Sequence, residues 1–348
     1  MERFAWQSAR SVAEAATLAG RTVAEAMLAD PSQQAEPDGV VLKAGGIDLL
    51  DLMKEGLLRP ARVVNLREVP GLDGIADDGD GIRIGALVTL VQLAAHPVLR
   101  ARYTALADAA ASAASPQIRH VATLGGNLLQ RPRCWYFRSA AHRCARKGGD
   151  HCFAFFGENQ YHAVFGQTGC AIVHPATVAT ALAAFDARVE LVNPQGATRS
   201  VPFSSFVVGP DTDITRETDL RGGEVLTAVL LPPVPPGTRS VFLKQGEKAF
   251  DWSIADVAVV LDRAPDGRCQ RASVVLGAAA PVPWRAAQAE AALAGQTIDA
   301  TVAHAASQAA IAGAVVLSHN AYKLPILAAL VRRAVLQAAG ATNQETVR

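Results

Sequence analysis

An α+β protein of two unequal domains is what this 348-residue sequence predicts, and three observations predict it. Apolar runs of helical period and of strand period alternate through the first 232 residues. Two glycine pairs stand where one such run passes into the next element. The run Pro232-Pro233-Val234-Pro235-Pro236 then divides that part from a last third in which strands come first and helices follow.

Composition sets the outer limits. Half of the residues are apolar, enough to bury a substantial core. Lys plus Arg (33) nearly cancel Asp plus Glu (32), so no global field draws the chain onto nucleic acid or an anionic membrane. The opening Met1-Glu2-Arg3-Phe4-Ala5-Trp6 lacks a basic-then-apolar signal pattern, and no run of about 18 apolar residues offers a membrane span. A cytoplasmic product is the expectation, with export left to a signal-bearing partner. Five cysteines are too few for a disulfide scaffold at this length.

The elements follow in order. Ser8 to Ala29 reads as amphipathic helix, with an apolar pattern at Val12-Ala13-Ala15-Ala16-Leu18-Ala19 repeated at Val23-Ala24-Ala26-Met27. Val40 to Lys43 reads as a buried strand, Ala44-Gly45-Gly46 as a corner, and Ile47 to Lys54 as a helix. Arg62 to Leu66 reads as a strand. The turn Asp77-Asp78-Gly79-Asp80-Gly81 opens no helix, so despite Gly85 it is a hairpin turn and not a dinucleotide fingerprint. Residues 103–115 are helical by propensity and end at Ser115-Pro116, before a second corner at Thr123-Leu124-Gly125-Gly126-Asn127. Ala179 to Phe185 reads as helix, and Arg188 to Val192 and Glu224 to Leu231 as strands. Beyond the prolines come strands at Ser240 to Leu243, Val257 to Leu261 and Ala272 to Leu276, then helices from Pro283 to Ala339 and a disordered tail at 341–348.

Glycine pairs at helix starts let backbone amides close on a phosphate, because no Cβ intervenes and the helix dipole favours negative charge there. Such a pair also serves as an ordinary tight turn, so neither corner is specific alone. Together, Ala44-Gly45-Gly46-x-Asp48-Leu49-Leu50 and Pro116-Gln117-Ile118-Arg119 with Thr123-x-Gly125-Gly126-Asn127 resemble the two flavin-binding motifs of the molybdenum hydroxylase flavoproteins. The resemblance runs on through Gly223-Glu224-Val225-Leu226-Thr227, Phe242-Leu243-Lys244 and the stretch from Ala321 to Ala334. It implies FAD, with Lys43, Ala44, Gly45, Gly46, Ile47, Asp48, Leu49 and Leu50 and then Thr123, Gly125, Gly126 and Asn127 at its pyrophosphate and ribose. Leu226 and Lys244 would approach the flavin. Where the family often has Ser-Asp, this chain has Ala176-Thr177, so no acidic contact is expected there.

Between residues 131 and 170 the character changes: eight aromatics fall in this stretch of a chain that is 5% aromatic. Cys134, Cys144, Cys152 and Cys170 lie in it, with nine, seven and seventeen residues between successive members. Four thiols in one loop-rich stretch suit a metal site, though the spacing is not the tight pairing of zinc ribbons and also admits core thiols, disulfides or structural zinc. Aromatic density and the basic residues Arg131, Arg133, Arg138, Arg143, Arg146 and Lys147 favour a [4Fe–4S] cluster, whose negative charge they would offset. His142, His151, His162 and His174 read as packing or surface residues, with His151, next to Cys152, standing as the substitute ligand. Cys269 reads as a lone structural thiol. The segment resembles the cluster-bearing insertion in flavin subunits of bacterial aldehyde oxidoreductases and, more loosely, of 4-hydroxybenzoyl-CoA reductase.

No catalytic triad, paired catalytic carboxylates or Walker loop appears. The resemblance implies why: a large subunit carries the molybdenum cofactor and substrate pocket, a small one carries two [2Fe–2S] clusters, and electrons leave through FAD for an external acceptor. It also implies a two-lobed FAD-binding domain of the vanillyl-alcohol-oxidase (PCMH) type over 1–232, with lobes at about 1–58 and 59–232. A small α+β domain of the CO dehydrogenase flavoprotein type follows over 237–340. The expected activity is molybdenum-dependent aldehyde oxidation in a heterotrimer. The alternatives are a xanthine dehydrogenase or thioester reductase subunit or, from another class, a zinc-stabilised assembly protein.

Overall fold

Three sheets organise the chain in a computed structural model that describes residues 1–28, 39–77 and 79–340. The first is parallel, with β1 (Ala5–Ser8), β2 (Val40–Lys43) and β3 (Arg62–Asn65) in the order β1-β3-β2. The second is antiparallel, with β4 (Ile75–Asp77), β5 (Ile82–Gly85), β6 (Arg188–Val192), β7 (Thr198–Pro202) and β8 (Val225–Leu231) in the order β4-β5-β8-β6-β7. The third, also antiparallel, has β9 (Arg239–Gln245), β10 (Ala255–Arg263), β11 (Cys269–Gly277) and β12 (Trp284–Arg285) in the order β12-β11-β10-β9. Mixed helices and sheets in this arrangement are the α+β class expected from the sequence.

Apolar clusters cover the sheets, and one of them is shared by the second and third. Val63 and Val64 bury the first sheet, one contributing to each of two small clusters, and Leu49, Leu52 and Met53 of the helix Ile47–Lys54 join the Val63 cluster. The second sheet packs Ile82, Ile84, Val189, Leu191 and Val229 against the alanine-rich helices Thr104–Ser112 and Thr177–Ala184. Small alanines let those helices also approach strands β9, β10 and β11 of the third sheet closely, and Tyr103 closes the end by donating from Oη to the Pro232 carbonyl at 2.7 Å. The third sheet carries the helices Ala300–Ile311 and Lys323–Ala339 on one face. Clusters of this kind contribute about 25 cal/mol per Å² of apolar surface removed from water.

Several expectations change in the structure. One helix from Ser8 becomes strand β1 and two short helices, Val12–Leu18 and Val23–Leu28, broken near Gly20. Ala29 lies outside the described residues, as do Asp78 of the hairpin turn and the tail at 341–348. Around Asp78, β4 and β5 pair antiparallel as a hairpin should. The first lobe does not close at about residue 58, because β3 is the central strand of the first sheet. After Pro283 the chain forms the short strand β12 before any helix. The segment 131–170 has no strand and only short helical turns, at Trp135–Arg138, Ala145–Lys147 and Phe153–Phe155.

Candidate functional site

The two glycine corners, about eighty residues apart in sequence, touch in the fold. β2 ends at Lys43, and Gly46 caps the helix Ile47–Lys54 at φ +85°, a conformation that strains any residue with a Cβ. At Gly45 the constraint is contact: a Cβ there would lie 2.3 Å from the Val121 carbonyl oxygen, just ahead of Thr123. Backbone therefore packs on backbone. Between the corners opens a cavity of about 420 Å³, walled also by residues from 216–226.

The corners do different work. Among the described residues, the amides of Gly45, Gly46 and Ile47 have no acceptor, and all three residues line the cavity at the helix start. At the second corner the amides are already satisfied. Leu124 donates to Val88 O at 2.8 Å, Gly125 to Ala86 O at 2.8 Å, and Gly126 to the Thr123 hydroxyl at 3.1 Å. What this corner leaves open is a side-chain acceptor, since Asn127 Oδ1 is buried without a partner. Free amides at one wall and an open amide oxygen at the other suit a ligand with anionic oxygens and hydroxyls. Arg119 fixes the rim, donating to the Ala113 and Ala114 carbonyls at 2.9 and 2.7 Å.

Of the residues assigned to FAD by resemblance, Lys43, Ala44, Gly45, Gly46, Ile47, Asp48, Leu49, Thr123, Gly125, Gly126, Asn127 and Leu226 line this cavity. Leu50 packs instead with the core beneath the helix. Lys244 is outside the lining too, its Nζ donating to Ser112 O at 2.9 Å. Asp48 lines the wall, yet its carboxylate faces arginines: it accepts from the Arg131 amide at 2.7 Å and from Arg138 Nη2 at 2.5 Å, and pairs with Arg133 at 2.8 Å. That matters beside an anion, because three cationic neighbours offset the acid's repulsion. Thr177 contributes a buried hydroxyl to the lining where the family often carries an acid. Sequence reading missed Trp252, stacked under Arg133 at 4.5 Å, and Glu217.

The four thiols are all unbridged, Cys144 and Cys170 buried and Cys134 and Cys152 half-buried. Cys152 lies beside Cys170, and Cys134 is close enough to feel both Cys144 and Cys170. Burial pushes Cys134 up to about 12. Within the coupled pair, Cys170 is held down by its bond to Cys152 and by the Arg146 guanidinium, while Cys152 is pushed up. Among the described residues no three His, Cys, Asp or Glu side chains group as ligands of a single ion. Cys269 is a buried thiol on β11, away from this set.

The basic run divides by task. Arg131, Arg133 and Arg138 serve Asp48, Arg143 is exposed, and Arg146 and Lys147 sit beside the thiols. Arg146 is 1% exposed, its Nη1 donating to Glu217 at 2.6 Å and its guanidinium lying against Cys170. The histidine against a thiol is His162, its Nε2 3.2 Å from Cys134 Sγ, whereas His151 lies tilted against Phe153 with ring centroids 4.4 Å apart. The aromatics are not one shell either. Trp135, Tyr136 and Phe153 surround His162 and His142, Phe165 stacks on Trp284 of the last domain, and Phe156 is 91% exposed.

Comparison with known proteins agrees with the geometry. Residues 2–234 match the FAD binding domain in molybdopterin dehydrogenase, and residues 242–338 match the CO dehydrogenase flavoprotein C-terminal domain. The aldehyde oxidoreductase FAD-binding subunit PaoB of Escherichia coli (strain K12) is 40% identical over 276 residues, 78% of this chain and 83% of that protein. The carbon monoxide dehydrogenase medium chain of Hydrogenophaga pseudoflava is 29% identical over 310 residues, 89% of this chain and 86% of that one. A solved structure of carbon monoxide dehydrogenase from the same organism superposes with a TM-score of 0.71 at 28% identity, covering 97% of this chain and 98% of the other. Among the described residues no helix is long and apolar enough to cross a membrane.

Proposed function

This chain belongs to the FAD-binding subunits of the molybdenum hydroxylase family, and on that premise we propose that it is the FAD- and [4Fe–4S]-bearing electron-transfer subunit of a heterotrimeric molybdenum-dependent aldehyde oxidoreductase. In this reading residues 1–232 hold the flavin and 237–340 form the C-terminal domain. The large partner carries molybdenum and the small partner two [2Fe–2S] clusters. Oxidising an aldehyde to its acid with water releases two electrons and two protons, and the electrons pass through this chain to an external acceptor.

The observation that carries the flavin half is the contact of the two corners, which sets unpaired amides of Gly45, Gly46 and Ile47 across a cavity from the open Oδ1 of Asn127. Pyrophosphate suits the first wall, because the helix dipole and its amides favour anionic oxygen. Ribose hydroxyls suit the second, with Thr123 and Asn127. Bound there, FAD supplies exchange between one-electron and two-electron carriers, and the protein supplies position and field.

For the cluster, the supporting observations are the nearness of Cys134 to Cys144 and Cys170, that of Cys152 to Cys170, and the buried Arg146 guanidinium beside Cys170. Cys134, Cys144, Cys152 and Cys170 would ligate iron, and Arg146 would offset the negative charge of four thiolates. The name of the 40% identical relative supports the aldehyde assignment.

Anaerobic reduction of the complex, purified with its untagged partners, tests the proposal. An aromatic or aliphatic aldehyde should bleach the flavin bands and reduce iron–sulfur signals in the same sample. Bleaching by xanthine but by no aldehyde would contradict the substrate assignment.

A further inference from the structure

The last domain touches the flavin cavity through a single side chain. Among the described residues that line it, Trp252 is the sole contribution from 237–340 and the sole aromatic. It stands on the hairpin between β9 and β10, where Ile254 N donates to Gln245 O at 2.8 Å and Asp251 N to Lys248 O at 3.2 Å. Glycine at 246 allows that closure, since a Cβ there would lie 3.1 Å from Lys248 O and 3.4 Å from Trp252 O. While β9 turns Lys244 away onto Ser112 O, the hairpin after it carries an indole to the cavity wall.

Trp252 is held there by a cation. Arg133 lies over the indole with its guanidinium carbon 4.5 Å from the ring centroid, an attraction to the negative face of the ring. That guanidinium is itself fixed: it pairs with Asp48 at 2.8 Å and Asp51 at 3.6 Å, and it donates to Gln130 Oε1 at 3.2 Å. Even so, Trp252 is 48% exposed. A large indole left half bare on a wall of aliphatic, polar and charged groups suits a second flat ring. Covering it removes apolar surface from water and adds the attraction of two rings packed offset or edge-on.

Of the two ring systems of FAD, the isoalloxazine fits this position better than the adenine. It has to pass electrons to an acceptor that arrives from solvent, and the wall at Trp252 is where the aromatic contact meets solvent. A ring that gains electrons is also favoured beside the Arg133 cation. We propose that Trp252 is the flavin's ring contact in this chain: its indole packs on the isoalloxazine, with Arg133 behind it, and fixes that ring at the edge of the cavity. The inference rests on the FAD assignment made above and takes nothing from the thiols.

Time-resolved spectroscopy of the whole complex tests this, once FAD has been counted. Light-excited oxidised flavin takes one electron from an indole in contact with it, which quenches flavin emission and leaves an indole radical cation with its own absorbance. Wild type should show that radical. Trp252→Phe keeps a ring but not a ready electron donor, so it should lose the radical and hold FAD close to wild type. Trp252→Leu, an apolar cover without a ring, should lose the radical and weaken FAD binding about 2- to 13-fold. Full FAD content with no indole radical in wild type, or with one that survives in Trp252→Leu, would overturn the contact and leave the FAD assignment standing. Weaker binding in Trp252→Leu with unchanged photochemistry would put the indole at the adenine and overturn it as well. A wild-type complex without FAD would overturn the assignment itself.

Discussion

The flavin cavity and the thiol segment lie side by side and are built on opposite plans. In the cavity the recognising atoms are mostly backbone: two corners between regular elements, one with free amides, pressed together at Gly45. In the segment 131–170 nearly everything depends on side chains carried by irregular chain and tied down by buried arginines and aromatics. A backbone site needs glycine, which sequence displays as a local motif. A side-chain site needs distant partners, which sequence does not display. The two plans should therefore fail differently when broken.

The largest expected effect is on the thiol side. Cys144→Ser removes one of the four proposed ligands and should abolish stoichiometric iron while FAD remains, because the glycine corners do not involve Cys144; metal analysis beside flavin absorbance reads both. Parallel loss of iron and FAD would mean that the two regions are not independent. Next comes Gly45→Val, which drives a Cβ against the Val121 carbonyl, where only backbone can yield. Overpacking of this kind costs about 1–3 kcal/mol, so FAD affinity should fall about 5- to 150-fold with iron unchanged. Unaltered affinity would show that the corners need not touch. The smallest effect is that of Asn127→Ala. Its Oδ1 has no protein partner to lose, so melting of the apoprotein should stay within about 0.5 kcal/mol of wild type. FAD binding should weaken by about 1 kcal/mol, roughly fivefold, in a fluorescence titration. The reverse pattern would make Asn127 a structural residue.

These differences also mark what could be read in advance. Both corners were legible because each is local: a glycine pair beside a strand or turn at the start of a helix. The first lobe's extent was not, because β3 joins its sheet by parallel pairing across the chain. Strand β1, four residues long, carries too short a pattern to compete with the helical one beside it. Leu50 and Lys244 show a subtler limit. Each belongs to a stretch that reaches the cavity, but one side chain turns into the core and the other onto Ser112. Glu217 stands in Asp211-Thr212-Asp213-Ile214-Thr215-Arg216-Glu217, a polar run that reads as a solvated loop. Only the fold shows that two buried arginines hold it. His162 was likewise indistinguishable from its neighbours until the chain set it against Cys134.

The central claim is that one chain holds two redox cofactors in adjoining sites of different construction. Counting FAD, iron and acid-labile sulfide in the purified complex, after correction for the partners' own clusters, tests it most directly. The account predicts one FAD with about four irons and about four sulfides for this chain. Zinc in place of iron, or a chain without flavin, would contradict it.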